Sequence, residues 1–301
     1  MSVRKGAKML QPRSRIIGGL LRAIGVLLVA SVAGAQQPLN WAAEDGHRVA
    51  ALEKDGFRLE GAHVILWCPT SLARADAEAL LARLDPGVAG LWRRVGTHAW
   101  QAVREGKLTY YLSEDAFVAH ASGRGVVFVP MARVRDGRAP FLHEATHELL
   151  ASTRVDEASR GPRTLRPLWL TEGMPDYIAR LVAADVGTTE VGPFDTPTIA
   201  GADAICAERA RTPDGATMMP YVGTSERPAV LFTTDRNRFA PTFYTCSLSL
   251  VSYLAGHVGL NELIDLFGYG PADANVRLDK LRGKKLSQWR AEWLEQLKLG
   301  G

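Results

Sequence analysis

The chain has 301 residues, 47% of them hydrophobic and 23% charged, enough apolar content to bury a core as one large domain or two small ones, which excludes a disordered chain. Its formal charge of +4 comes from the first 35 residues, which hold Arg4, Lys5, Lys8, Arg13, Arg15 and Arg22 and no acid. The remainder has 30 basic against 32 acidic residues, a formal charge of −2, so nucleic-acid binding is not expected.

That cationic start is followed by the apolar stretch Ala23–Val32 and by Ala33-Gly34-Ala35, the three parts of a secretory signal, with Gln36 as the expected first mature residue. Arg22 leaves the apolar run short of the roughly 20 residues that a membrane span needs, so no stable span is expected after cleavage. The protein is therefore expected outside the cytoplasm, periplasmic or extracellular. Disulfides are permitted there, and Cys68, Cys206 and Cys246 allow three single pairings. The sequence does not choose among them; Cys68 sits in an apolar run as a small hydrophobe, and Cys206–Cys246 is the preferred pair.

Gly56–Glu60 and His63–Cys68 read as short strands. Leu72–Val95 repeats apolar residues at three- and four-residue steps, one or two helices around Pro86-Gly87. Lys107–Leu112 and Gly125–Pro130 again read as strands, the second on the β-branched run Val126-Val127 and Val129. Helices are predicted over Pro140–Thr153, Thr171–Ala184, Thr242–His257 and Leu260–Phe267, with a docked helix in Lys280–Leu299. Between the second and third lie about 55 residues, 185–241, rich in Gly, Pro and Thr and poor in periodicity, a length that suits a lid or binding insertion.

Phe141–Leu150 contains His143-Glu144-Ala145-Thr146-His147, in which two imidazoles four residues apart share one helix face and can reach one ion. Glu144 faces the same cavity and can take a proton from water held there. A pattern with three fixed positions arises by chance in about one chain in a hundred of this length, so context decides. Phe141, Leu142, Leu149 and Leu150 embed the motif in apolar residues, unlike a solvated surface helix. Glu172 follows His147 by 25 residues, within Pro167-Leu-Trp-Leu-Thr-Glu172-Gly-Met-Pro-Asp176-Tyr177. Two His and one carboxylate leave a fourth tetrahedral position open, as a catalytic zinc site requires.

These two segments resemble the metal signatures of gluzincin peptidases, which include thermolysin and the zinc aminopeptidases. The resemblance implies one zinc per chain held by His143, His147 and Glu172, with Glu144 as general base, and it implies that Asp176 accepts the second ring N–H of a ligating His. A solvated helix acid is the plainer reading of Asp176. Thr171 is expected as the N-cap, placing Glu172 in the first turn, and Pro175, where the signature usually has a small residue, is expected in that turn too. Thr242–Leu254 with His257 is similar to the helix after the metal site in small bacterial peptidase MA-like proteins. That likeness implies Tyr244 as the donor to the oxyanion, with His257 as the rival and a core aromatic as the plain alternative.

Together these readings predict an α+β, zincin-like protein over 36–301, with a small mixed sheet packed on the HExxH helix, an insertion at 185–241 and a helical C-terminal part. The expected substrate is a peptide or protein, which could pair with the edge of the sheet. A non-catalytic envelope protein that binds through the insertion, and a hydrolase of peptidoglycan peptides, are the alternatives. Intact Glu144 argues against the first.

Overall fold

Three short segments, two of them apolar throughout, make the inner strands of a sheet. In the computed structural model, which describes residues 41–95, 106–122, 125–151, 166–194 and 198–300, helix α1 (Trp41–Asp55) precedes β1 (Phe57–Glu60) and β2 (Val64–Cys68). Helix α2 (Arg74–Val95) follows, then β3 (Leu108–Ser113), β4 (His120–Ala121) and β5 (Val126–Pro130). The expected signal segment, residues 1–35, lies outside the described residues. Among those described, no helix is long and apolar enough to cross a membrane.

The sheet order is β1-β2-β3-β5-β4; the three inner strands are parallel and the two outer ones antiparallel to their neighbours. Side chains alternate between its faces. Val64, Leu66, Leu108, Tyr110, Leu112, Val127 and Val129 point into the main core. Tyr111 and Phe128 point the other way, where α1 covers them with Leu52. Helix α2 runs unbroken through Pro86: the carbonyl that loses its partner belongs to Ala82, and both residues are exposed, so water replaces the missing bond.

Among the described residues after β5 every regular element is helical, giving a mixed α+β protein that is mostly helical. The elements are α3 (Met131–Arg135), α4 (Phe141–Ala151), α5 (Leu168–Asp185), α6 (Ile199–Ala210), α7 (Pro213–Met218), α8 (Arg236–Val258), α9 (Leu260–Asp265), α10 (Pro271–Leu278) and α11 (Leu286–Gln296). The stretch 185–241 is not irregular. It holds α6, α7 and two 3₁₀ turns, and α8 begins six residues before the predicted start, with Pro241 inside it. Helix α6 hides from pattern reading because its buried positions, Ala202, Cys206 and Ala210, are small and contrast little with their neighbours. A disulfide joins Cys206 of α6 to Cys246 of α8, the preferred pair. Cys68 is free and buried, and burial pushes its thiol up to about 12.

Helix α4 lies against β4 and β5 on one side and α5 on the other, and α5 in turn packs along α8. The α5–α8 crossing is tight at Gly173, where a Cβ would sit 2.7 Å from the carbonyl oxygen of Ser247. At the C-terminus, α11 docks through Trp289 and Trp293, whose indole N–H groups donate to Leu281 O (3.2 Å) and Ser249 Oγ (2.9 Å). Both indoles are thus satisfied on burial.

Candidate metal centre

Helix α4 carries His143 and His147 one turn apart, so both rings project from one face. Their Nε2 atoms lie 3.0 Å apart, and Glu172 Oε2 on α5 lies 3.8 Å from the first and 3.5 Å from the second. Among the described residues these three form the one group of His, Cys, Asp or Glu whose ligand atoms converge closely enough to hold a metal ion. The expected ligand set is therefore brought together from two helices.

The tautomer of His143 is fixed by its surroundings. Its Nδ1–H donates to Asp176 Oδ1 at 2.9 Å, and Asp176 is wholly buried, so in the neutral ring it is Nε2 that carries the lone pair, facing Glu172 and His147. Arg180, one turn further along α5, donates to the same Oδ1 at 3.0 Å and to the Asp176 carbonyl at 2.9 Å. Asp176 thus has two side-chain partners, both on Oδ1, and is not a solvated helix acid.

The electrostatics favour positive charge between the three groups. Burial alone would lower the His143 imidazole, but Asp176, Glu172 and Glu144 outweigh it and push the group up to about 10. Burial alone would raise Glu172, but His147 and His143 hold its carboxyl well below the usual range. For Asp176, too, burial is outweighed, by Arg180 and His143, and the group is lowered. A cation at the centre would take the place of the protons that the imidazoles otherwise attract. Glu144 is buried beside the cluster, one residue after His143.

Two local expectations need correction. Helix α5 starts at Leu168 with Pro167 as its cap residue, so Thr171 is not the N-cap; it lies inside the helix, its hydroxyl donating to Leu168 O at 3.1 Å. Glu172 therefore stands in the second turn and Pro175 lies well inside the helix, where its ring removes the bond to the Thr171 carbonyl. Helix formation one turn early follows from Leu168, Trp169 and Leu170, all buried on the core side.

Tyr244 does face the cluster. Its ring centroid is 6.5 Å from that of His143, and burial, then the charge of Glu172, raises its hydroxyl well above the ordinary phenol value. His257 stands thirteen residues further along α8, about 20 Å of helix rise away. It packs on Tyr253 and Trp289, and its Nδ1 lies 2.7 Å from the Tyr253 carbonyl, so it is not at the site.

Three supporting side chains, two carboxyls and a hydroxyl, escape sequence reading. Glu190 Oε1 accepts the backbone N–H groups of Leu142 (2.8 Å) and His143 (3.0 Å), capping α4 from 48 and 47 residues away. Burial pushes Glu190 up to about 8 against those bonds. Glu148 Oε2 accepts Gly125 N–H at 2.6 Å, tying α4 to the turn before β5, and Tyr110 donates to Phe141 O at 3.1 Å. Ala139-Pro140 before the motif offers no capping side chain, which signals that a cap must arrive from elsewhere but not from where.

No protein-family model matches the chain, and no curated protein matches it.

Proposed function

We propose that this protein is an exported zinc-dependent peptidase of the gluzincin kind, with one zinc held by His143, His147 and Glu172. The observation that carries the reading is the ligand triangle, with sides of 3.0, 3.5 and 3.8 Å. Ligand atoms about 2.0–2.1 Å from a tetrahedral zinc lie about 3.3 Å apart, so an ion fits above this triangle with a fourth position open. The donor chemistry fits as well: two imidazole lone pairs, one carboxylate, and a buried Asp176 behind His143. The zincin-like fold belongs to the same proposal, supported by the α4 helix lying against the edge hairpin β4–β5.

When bound, zinc supplies Lewis acidity, polarising a peptide carbonyl and easing loss of a proton from water. Glu144 accepts that proton as the water oxygen bonds to the carbonyl carbon, and it hands the proton to the amine nitrogen as the C–N bond breaks. The Tyr244 hydroxyl donates to the carbonyl oxygen as negative charge grows there. Asp176 holds His143 in the ligating tautomer, and Glu190 fixes the helix end that carries it.

Elemental analysis of the purified mature protein is expected to find about one zinc per chain, lost in His143→Ala, His147→Ala and Glu172→Ala. Glu144→Gln is expected to keep zinc and lose cleavage of a peptide library, because an amide cannot accept the proton. Stoichiometric zinc in all three ligand variants, or full turnover in Glu144→Gln, would overturn the reading. Export is checked by N-terminal sequencing of the extracytoplasmic protein: Gln36 is the expected first residue, and a retained Met1 or Ser2 would refute it.

A further inference from the structure

The site is rich in carboxylates, with Glu144, Glu172, Asp176 and Glu190, and Arg180 is committed to Asp176. One guanidinium beside it has no carboxylate partner among the described residues. Arg236 opens α8, is half-buried, and lies with Nη2 3.5 Å from the Tyr244 hydroxyl and Cζ 5.1 Å over the Phe194 ring. Phe194 in turn packs on Tyr244 with ring centroids 4.8 Å apart. Among the described residues no carboxylate pairs with Arg236, whereas its neighbour Arg238 is paired with Asp214 and Arg209 is bonded to Pro241 O and Thr245 Oγ1. A planar guanidinium held on a ring face, partly out of water and with no carboxylate partner among the described residues, is matched to an incoming carboxylate.

We propose that Arg236 receives the C-terminal carboxylate of the substrate, making the site a carboxy-terminal exopeptidase that releases one or two residues. This rests on the peptidase reading above and names its substrate class.

Reach sets the number of residues released. A zinc ion would lie about 2 Å from its carboxylate ligand, and the Tyr244 hydroxyl, which bonds to the Glu172 carboxylate, adds about 3 Å. Arg236 Nη2 is a further 3.5 Å on, so the guanidinium is about 9 Å from the ion at most. An Arg–carboxylate contact takes up about 2.8 Å of this. What remains, about 6 Å at most, is the length of one extended residue and not quite two at about 3.3–3.6 Å each, so one residue, or two in a less extended form, lies beyond the cleaved bond. A peptide bond deep inside a long chain offers no carboxylate at that distance and leaves Arg236 unpaired.

The test uses zinc-loaded full-length mature protein and one peptide, acetyl-Ala-Phe-Leu, as the free acid and as the C-terminal amide. Wild type is expected to cleave the acid about 100-fold better in kcat/KM, chiefly through KM, because the amide cannot make the charge-assisted pair. Arg236→Gln is expected to erase the ratio, and Arg236→Lys to restore part of it. Binding is read separately by calorimetry on the Glu144→Gln protein, where the acid is expected to bind at least about tenfold tighter than the amide, and to lose that preference when Arg236→Gln is added. Equal handling of acid and amide by wild type, or an undiminished preference in Arg236→Gln, overturns the proposal and leaves Arg236 as a support for Phe194 and Tyr244. An Arg236-dependent binding preference with no cleavage of either peptide upholds the carboxylate site and refutes the peptidase reading. Equal cleavage of both does the reverse, and neither binding preference nor cleavage refutes both.

Discussion

Gly173→Ala adds one methyl group at the place where the helix carrying Glu172 crosses the helix carrying Tyr244. The new Cβ would lie 2.7 Å from Ser247 O, 2.9 Å from Ser247 C and 2.9 Å from Val251 Cγ2. Comfortable carbon contacts are about 3.5–4.0 Å, so α5 and α8 must part by roughly 0.7–1 Å, and two of the three opposing atoms are backbone. Overpacking of this kind costs about 1–3 kcal/mol. Helix propensity works the other way, since Ala in a helix interior is favoured over Gly by about 1 kcal/mol. Gly256→Ala supplies the control: it lies in α8, is exposed, and a Cβ there meets nothing within 4 Å. Urea unfolding of the metal-free proteins should therefore place Gly256→Ala level with wild type or above it. Gly173→Ala should fall below the control by about 1–3 kcal/mol, with Tm shifted by about 2–4 °C per kcal/mol. Zinc affinity should drop in Gly173→Ala alone, because only there does Glu172 move relative to its partners. Equal stability of the two variants, with unchanged zinc affinity, would refute the argument that this crossing is closed by the absence of a side chain.

Tyr244→Phe removes only the hydroxyl, so zinc content and folding should hold while kcat falls by about 10²–10³ with KM nearly unchanged; wild-type kcat would take Tyr244 out of the mechanism. Glu190 bears on stability in metal-free protein: its folded pKa, about 8, lies above the ordinary 4.5, so the folded state keeps a proton that the unfolded chain releases. Its contribution is full below about pH 4.5 and is lost as pH rises through about 8, so wild type should lose on the order of a few kcal/mol relative to Glu190→Gln across that window. Parallel stability curves for the two proteins would show that the carboxyl does not titrate as its burial implies.

The cluster of His143, His147 and Glu172 was legible because each half of it is a local pattern, two His at helical spacing and a Glu in an apolar-aromatic run, and the strands were legible from short apolar and β-branched runs. Asp176 could be read for the same reason, standing one turn from Glu172 on the same helix. What escaped was fixed by distant parts of the chain. Thr171 looked like a cap, and local propensity would allow it, but Leu168, Trp169 and Leu170 gain more by joining the helix and burying against the core. Helix α6 was invisible because Ala and Cys line its inner face, where pattern reading expects Leu or Ile. Arg236 carried no signal at all, since its place over Phe194 is decided by where the start of α8 meets a distant turn.

Glu190 has a consequence for anyone wishing to move this centre elsewhere. The eleven residues of α4 are too few to be a stable helix alone, and the two amide groups at its mouth are quenched only by a carboxylate brought from 47 and 48 positions downstream. A graft of the HExxH stretch together with the Glu172 helix would therefore carry the ligands without their mounting, and the first imidazole would swing on a frayed end. A transplant that keeps its aim must bring three separate pieces of chain, the third being the short run through Glu190 that no metal-binding motif includes.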